Sequence, residues 1–512
     1  MTIEAPSLAR RTPARWFVNR LMLATGAAAL ADWLFYNAYP LGVSVAIFLG
    51  SCAVLAIGTN PVRAHPRLRI GASIALLLAL LAVVEEVSWL SFLVASGATS
   101  LFALMMVSGD FAAWPSQLRR ALGLPLAGPF WLAGDAFRAR RLSLRKGKPA
   151  GRIAALASWI APILLGSIFL ALFASANPLI EDWVQELDPR RIFELVSVAR
   201  AVFWLLVICS IWPLLHLRFS RKAARAALAS GTSPAGDFEA LFGKVAVLRS
   251  LLLFNALFAV QTSLDFAYLW GGLALPNGLT YAAYAHRGAY PLVATTLLAA
   301  GFVLVAMRRG GPAETSPWIK PLVLAWVAQN LMLVASSIFR TGLYIAAYSL
   351  SELRLAALIW MALVAVGLAL IVVQIVWRKT SRWLLNANAI ATAITLYACC
   401  WIDFPAIVAS YDIAHCLEIS GTGPALDLDY LFALGPEAMP AYDEFLQAYW
   451  RRNQTGKSSG QIAWSQNERR SNAETASRLN WRSRTFRGWR LQRYFDTHPE
   501  GASTGERPLA NQ

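Results

Sequence analysis

Apolar residues along the chain are grouped into long runs, and short polar or basic segments separate them. Most runs hold about 16 to 25 residues, close to the roughly 20 that a helix needs to cross a hydrocarbon layer about 30 Å thick. A single segment in lipid satisfies its own backbone hydrogen bonds only as a helix. The pattern therefore predicts an all-α fold, a polytopic transmembrane helix bundle of about eleven spans.

One apolar stretch is too long for a single crossing. Residues 70–107 number about 38, and at a rise of 1.5 Å per residue they exceed the thickness of the hydrocarbon layer. Glu85 and Glu86 are the polar point at which this stretch can fold back. The predicted spans are 21–36, 41–58, 70–84, 90–107, 154–176, 200–215, 250–271, 292–307, 321–339, 355–377 and 384–402. They make up a transmembrane domain, 21–403, that follows a cytoplasmic N-terminal arm, 1–20.

Lys and Arg are divided unequally between the segments that connect these spans. The six segments predicted to lie inside hold 28 of them, and the five short outer connections hold 6. Because short cytoplasmic loops carry an excess of Lys and Arg, this asymmetry predicts a cytoplasmic N-terminus and a multi-pass protein of a bacterial inner membrane. The largest predicted inner loop is 109–152.

The same alternation of inside and outside segments predicts that the residues beyond the last span lie outside the cytoplasm. They divide into an extracytoplasmic C-terminal segment, 404–450, and a basic, largely disordered tail, 451–512. Pro436 followed by an acidic residue predicts a short helix that reaches about Trp450. The basic-aromatic stretch 480–495 has two interpretations, a helix on anionic lipid or a solvated helix packed on its own domain.

Composition supports the membrane interpretation and excludes other classes. Hydrophobic residues make up 57% of the chain and charged residues 15%, with a mean hydropathy of +0.49, which is outside the usual soluble range. The net charge of +17 lies largely in short loops and in no basic recognition module, so nucleic acid is not an expected partner. The five cysteines form neither a disulfide framework nor a metal pattern. The lipid bilayer is the expected partner, and no cofactor or metal is expected.

Polar side chains inside the spans form a candidate site. Gln261, Asp265 and Tyr268 share one helix face, and Gln329 and Arg340 share another. A charge at the membrane centre costs roughly 2.5–3.5 kcal/mol, so a pair between Asp265 and Arg340, both near outer helix ends, is the cheapest way to keep both charges. The candidate cluster, for ligand binding or for structure, comprises Glu85, Glu86, Asn255, Gln261, Asp265, Tyr268, His286, Arg287, Gln329, Arg340 and Tyr344.

This cluster leaves several interpretations open. The leading one is an outward-facing binding or transport component for a small anionic or lipid-linked ligand. A second is a non-transporting envelope scaffold or sensor that recruits a protein partner, and a third is a membrane enzyme on a lipid-linked substrate. The structural alternative is that Asp265 and Arg340 only join two helices. Phosphate-binding Gly loops, Ser-His-Asp sets and zinc spacings are absent from the sequence, so an enzyme is not favoured. For Asp32 a side chain that reaches the headgroups is favoured over a proton relay.

Several stretches resemble one family. The stretches 177–183, 254–291, 340–348 and 426–431, which include Leu275-Pro276-Asn277-Gly278 and Arg340-Thr341-Gly342-Leu343-Tyr344, are similar to bacterial inner-membrane proteins catalogued as domain of unknown function 4153/4173. The resemblance extends from about Ile70 to Leu446. It implies a polytopic helical fold and a bacterial envelope location, and it names no activity. The stretch 403–412 departs from the Asn-rich sequence expected there.

Overall fold

The structure is a computed structural model. It describes residues 13–36, 40–109, 114–145, 198–217, 244–270, 317–453 and 480–498, together with a few isolated positions. Every regular element in these ranges is helical, which confirms the all-α class. The predicted span 292–307 and nearly all of 154–176 lie outside the described residues.

The chain divides into two compact units. Unit 1 consists of Met1–Arg221 with Ser477–Trp489, and unit 2 of Lys222–Ala476 with Arg490–Gln512. The described helices of the first part of unit 1 are α1 (Pro13–Phe35), α2 (Val43–Thr59), α3 (Pro66–Glu85), α4 (Trp89–Ser108), α5 (Trp114–Arg145) and α6 (Val198–Leu215).

The fold-back between α3 and α4 lies where the two glutamates interrupt the apolar stretch. Helix α3 ends at Glu85, and the Glu86 backbone is extended. Ser88 then caps α4, because its Oγ accepts the Ser91 N–H at 3.1 Å while Ser91 Oγ accepts the Ser88 N–H at 2.9 Å. This reciprocal capping box satisfies two backbone donors that a helix start would otherwise leave open. The long apolar run therefore becomes two helices.

Helix α5 occupies most of the segment predicted as the largest inner loop, 109–152. Its buried positions, Gln117, Ala121, Leu124, Leu132, Asp135 and Ala139, recur at helical spacing. A Cβ at Gly128 would lie 1.8 Å from the carbonyl oxygen of Cys209, so glycine is what lets α5 pack closely on α6. Arg119 and Arg138 are exposed on this helix. The inner placement of the segment stays a prediction.

One end of unit 1 is joined by amide and carbonyl groups near the basic segment 59–69. The Asn60 side chain donates to the Leu214 carbonyl at 2.8 Å and accepts the Leu217 N–H at 3.1 Å. Arg20 donates to the Thr59 carbonyl at 3.3 Å. The ends of α1, α2 and α6 are thereby fastened together.

The opposite end of unit 1 is joined by charges. Arg200, at the start of α6, donates to the carboxylate of Asp32 near the end of α1, and its Nε lies 2.7 Å from Asp32 Oδ1. Asp32 is buried, so the expectation that it reaches the headgroups is wrong. A carboxylate that finds a guanidinium inside the fold has no need of the lipid surface.

Residues from the end of the chain close over this same end of unit 1. A 3₁₀ turn, Trp481–Ser483, leads to Arg484, whose carbonyl accepts the Val43 N–H at 2.9 Å. Arg487 is buried, forms an ion pair with Glu86 and lies 3.8 Å from Glu85. Buried charge pairing thus holds part of the basic-aromatic stretch on unit 1, and the prediction for the tail 451–512 as a whole stays a prediction.

The described helices of unit 2 begin with α7 (Lys244–Asp265), which continues as a π-helical turn, Phe266–Trp270. They go on with α8 (Ile319–Tyr348), α9 (Glu352–Val376), α10 (Ser381–Cys399), α11 (Phe404–His415), α12 (Leu417–Ser420), α13 (Leu428–Ala433), a 3₁₀ turn (Pro436–Ala438) and α14 (Met439–Asn453). The last described helix, α15, is Phe486–Thr497.

The described residues of unit 2 form two apolar cores. In the first, Trp326 of α8 stacks on Phe254 of α7 with ring centroids 5.1 Å apart, and Val323 and Leu368 are buried beside them. In the second, α11 and α14 pack on the connection between α8 and α9, around the fully buried Tyr442. The chain bends by 72° between α10 and the α11–α12 pair. The C-terminal helices thus cover one end of the helix pair α8 and α9.

Five helices within the described ranges are long and apolar enough to cross a membrane. They are Pro66–Glu85, Trp89–Ser108, Lys244–Tyr268, Ile319–Tyr348 and Glu352–Val376, and the bent pair of α10 with α11–α12 makes up to six. Two shorter apolar helices, Val43–Thr59 and Ala199–Leu215, accompany them. The chain is therefore a helical protein with several apolar helices suited to a membrane.

Candidate functional site

The two charged members of the predicted cluster are in direct contact. Arg340 of α8 donates through Nη2 to Oδ1 of Asp265 at the end of α7, and both side chains are buried. Gln261, one turn earlier on α7, donates to the same carboxylate oxygen at 2.9 Å. Opposite charges placed side by side offset much of the cost of removing each from water. The arrangement fixes the end of α7 against α8.

The amide side chains of the cluster join the same two helices, α7 and α8. The Asn255 side chain donates to the Leu322 carbonyl of α8 at 3.1 Å, and Gln329 donates to the Asn255 carbonyl at 3.2 Å. Hydrogen bonds of this kind join helices where no water is present to replace them. These members therefore support the structural interpretation of the cluster.

Four of the remaining members lie within the described residues, two in each unit. The Arg354 guanidinium lies 4.5 Å above the ring of Tyr344, and Tyr268 is half-buried in the π-helical turn. Glu85 and Glu86 belong to unit 1, where Arg487 pairs with them. The other two members, His286 and Arg287, lie outside the described residues.

A cavity that was not predicted lies where α11 packs on the connection from α8 to α9. Its volume is about 160 Å³. Both apolar and polar side chains line it. The lining residues are Ile345, Ala346, Ser349, Tyr411, Asp412, His415, Ser420, Thr422, Gly423 and Pro424. A concave site with a few converging polar groups is the usual form of a small-molecule site.

Asp412 is the buried polar residue of this cavity. Its side chain is 6% exposed, and Oδ1 accepts the Leu350 N–H at 2.7 Å. Among the described residues this backbone group is its only hydrogen-bond donor. The sequence carries one signal for it, because Asp412 falls on the same helix face as the buried Val408, Ala409 and Cys416. An acidic residue on an apolar helix face indicates a buried polar site, and the candidate cluster predicted from the sequence did not include Asp412.

The connection beside the cavity holds an unusual backbone conformation. Ser349 has φ 65° and ψ 171°, a region that essentially only glycine adopts without strain. Arg354 fixes it, since Nη1 donates to the carbonyls of Tyr348, at 2.7 Å, and Ser349. Such outliers cluster at ligand sites, so Ser349 is a second indication that this cavity is functional.

The charge state of Asp412 is sensitive to its surroundings. Burial raises the pKa of this carboxyl to about 6, and the Leu350 N–H bond and the charges of Arg354 and His415 oppose that rise. Asp427 adds a smaller upward effect on the pKa. A carboxyl with a pKa near 6 changes charge close to neutral pH, which ordinary aspartates do not.

Metal-binding arrangements of three or more His, Cys, Asp or Glu side chains are not found in the described part of the chain. The model of one protein family, described as a domain of unknown function (DUF4153), matches residues 72–445. This match confirms the resemblance carried by the stretches 254–291 and 340–348. Comparison with curated proteins and with solved structures finds no match. The site must therefore be interpreted from its own chemistry.

The pair of Asp265 and Arg340 predicts a characteristic pattern of stability. Arg340→Gln leaves the buried carboxylate without its cation, and breaking a buried ion pair on one side costs about 3–5 kcal/mol. The double variant, Asp265→Asn with Arg340→Gln, removes both charges and is expected to recover more than half of the loss. Thermal unfolding of the purified protein in detergent measures both effects. A double variant no more stable than Arg340→Gln alone would contradict the pairing.

Asp412→Asn is expected to stabilise the protein at neutral pH. The folded state binds the Asp412 proton more tightly than the unfolded chain, so the carboxyl lowers stability as pH rises from about 4 to about 6. The amide keeps an acceptor for the Leu350 N–H and carries no charge. The variant should therefore gain about 1–3 kcal/mol above pH 6 and nothing below pH 4.

Melting temperatures between pH 4 and pH 8 test this expectation. Asp429→Asn, at an exposed carboxyl of α13, is the matched control and should leave the profile unchanged. An Asp412→Asn protein that melts below the natural protein at pH 7.5 would show that the negative charge stabilises the fold.

Proposed function

The chain belongs to the family of the domain of unknown function DUF4153, and from that premise we propose that it is a membrane receptor component with an outward-facing ligand site. It is a multi-pass protein of the bacterial inner membrane with about eleven spans and a cytoplasmic N-terminus. The observation that carries the proposal is the cavity of about 160 Å³ that the C-terminal helices enclose on the connection from α8 to α9. Asp412 is its buried polar group.

Two sets of contacts support the outward placement of this site. In unit 2, Asp412 accepts the Leu350 N–H, and the Tyr430 hydroxyl accepts the Glu352 N–H at 3.1 Å. Both donors lie in a connection that the charge asymmetry of 28 against 6 assigns to the outside. The C-terminal segment therefore shares the side of that connection.

Unit 1 supports the same side through different residues. Arg487 pairs with Glu86, and Arg484 accepts the Val43 N–H through its carbonyl. Glu86 lies in the fold-back of the apolar stretch, and Val43 follows the turn between the first two helices. The charge pattern assigns both turns to the outside, so the end of the chain is extracytoplasmic.

The pairing of charges with one another inside the apolar helices favours binding over transport. Asp32 pairs with Arg200, and Asp265 pairs with Arg340, so these groups hold helices together. A transport path needs polar groups that exchange partners with a substrate. The fixed pairs favour a site at the outer surface of the helices.

The expected anionic or lipid-linked ligand loses its main support in unit 2. Arg340 is occupied by Asp265, and the described lining of the cavity contains a carboxylate. Support for an anion would rest on His286 and Arg287, which lie outside the described residues. The geometry instead favours a polar ligand that donates hydrogen bonds.

Single cysteines placed in a protein whose natural cysteines are replaced test the proposed orientation. Asp429→Cys in α13 and Arg67→Cys in the first turn of α3 are both at exposed positions. A membrane-impermeant maleimide added to spheroplasts should label the first at once and the second only after permeabilisation. Labelling of Arg67→Cys alone in intact spheroplasts would overturn the outward-facing site.

A further inference from the structure

The size of the cavity limits what it can hold. A volume of about 160 Å³ is close to that of an engineered cavity of about 150 Å³ in another protein that accommodates benzene. A ligand of about six non-hydrogen atoms therefore fits within it. Ile345, Ala346 and Pro424 contribute apolar lining that suits a short alkyl group.

Asp412 is the group of the cavity that keeps acceptor capacity for a ligand. Ionised Asp412 accepts hydrogen bonds and donates none, and its only described donor is the Leu350 N–H. His415 Nδ1 lies 2.8 Å from the Tyr411 carbonyl, so that nitrogen carries a proton and is engaged within α11. Ser420 donates its hydroxyl proton to the Cys416 carbonyl at 2.8 Å. A ligand that brings a donor therefore finds its acceptor in Asp412.

Among the described residues, Arg354 is the arginine whose charge acts on Asp412, and it is engaged elsewhere. Arg354 donates to the carbonyls of Tyr348 and Ser349, and its guanidinium lies over the Tyr344 ring. Arg354 is not part of the cavity lining. The Asp412 carboxylate is 94% buried, since 6% is exposed, and a buried carboxylate gains most from a cation in direct contact.

We propose that this cavity binds a small molecule that carries a primary ammonium group on a short alkyl chain. The ammonium donates to Asp412. The alkyl group lies along Ile345 and Ala346. This inference rests on the proposed outward-facing site and adds the chemical class of its ligand.

The probe is n-butylamine, which is an ammonium ion at pH 7.5, with n-butanol and butyrate as controls of similar size. Titrations of the full-length protein in detergent, followed by saturation-transfer NMR, should show binding of the amine. Both controls should bind at least about tenfold more weakly, since a charge-assisted hydrogen bond is worth roughly that factor or more. Equal binding of n-butanol would overturn the inference.

Matched variants locate the site. Asp412→Asn should weaken n-butylamine binding about tenfold or more, whereas Asp429→Asn, at an exposed carboxyl, should not change it. Ala346→Leu keeps the carboxylate and fills the cavity from an exposed helix position, so it should also abolish binding. Unchanged binding in Asp412→Asn or in Ala346→Leu would overturn the proposal.

Failure of the ligand class is distinguishable from failure of the proposed function. If n-butylamine does not bind the natural protein while maleimide still labels Asp429→Cys from outside, the ammonium ligand is wrong and the outward-facing site stands. If the labelling is reversed, the proposed function fails whatever the amine does. Lower pH should weaken amine binding as well, because the pKa of Asp412 near 6 removes its charge below that value.

Discussion

A charge among apolar helices is stable only beside an opposite charge, and this constraint explains much of the architecture. The ion pair of Asp265 and Arg340 joins α7 to α8, and the ion pair of Asp32 and Arg200 joins α1 to α6. Without a partner, either carboxylate would bear a desolvation cost of several kcal/mol. Asp32, Arg200 and Asp265 lie at or near helix ends, whereas Arg340 lies within α8, and the two pairs hold these helices against each other.

The same constraint places the end of the chain. Arg487 pairs with the glutamates of the fold-back between α3 and α4, so a distant basic residue completes a turn formed early in the sequence. Asp412 differs from all of these groups, because its described hydrogen-bond donor is a neutral backbone N–H. A buried carboxylate held in this way keeps acceptor capacity for a cation from outside. That contrast separates a structural charge from a binding charge.

The parts of the fold that the sequence predicts are those that depend on local pattern. Apolar runs predict helices, and the interruption at Glu85 predicts a fold-back because a run of that length cannot cross once. The spacing of Gln261 and Asp265 places them on one helix face, where they form their contact. Helix α5 was not predicted, because Pro125, Pro129 and the exposed arginines give its segment the composition of a loop.

The remaining parts depend on contacts between residues far apart in sequence. Arg487 meets Glu85 only in the folded chain, and the cavity forms only where α11 meets the connection from α8 to α9. No local pattern encodes which distant segment covers a turn. Ser349 shows the same limit, since its positive φ is imposed by the packing around it and by Arg354.

The most direct test of the proposed outward-facing site is an experimental density map of the full-length protein in a lipid nanodisc. It should place residues 404–446 outside the bilayer, on the side opposite the basic segment 59–69, with the Asp412 cavity open to solvent. A map in which residues 404–446 and 59–69 lie on the same side of the bilayer would contradict the account.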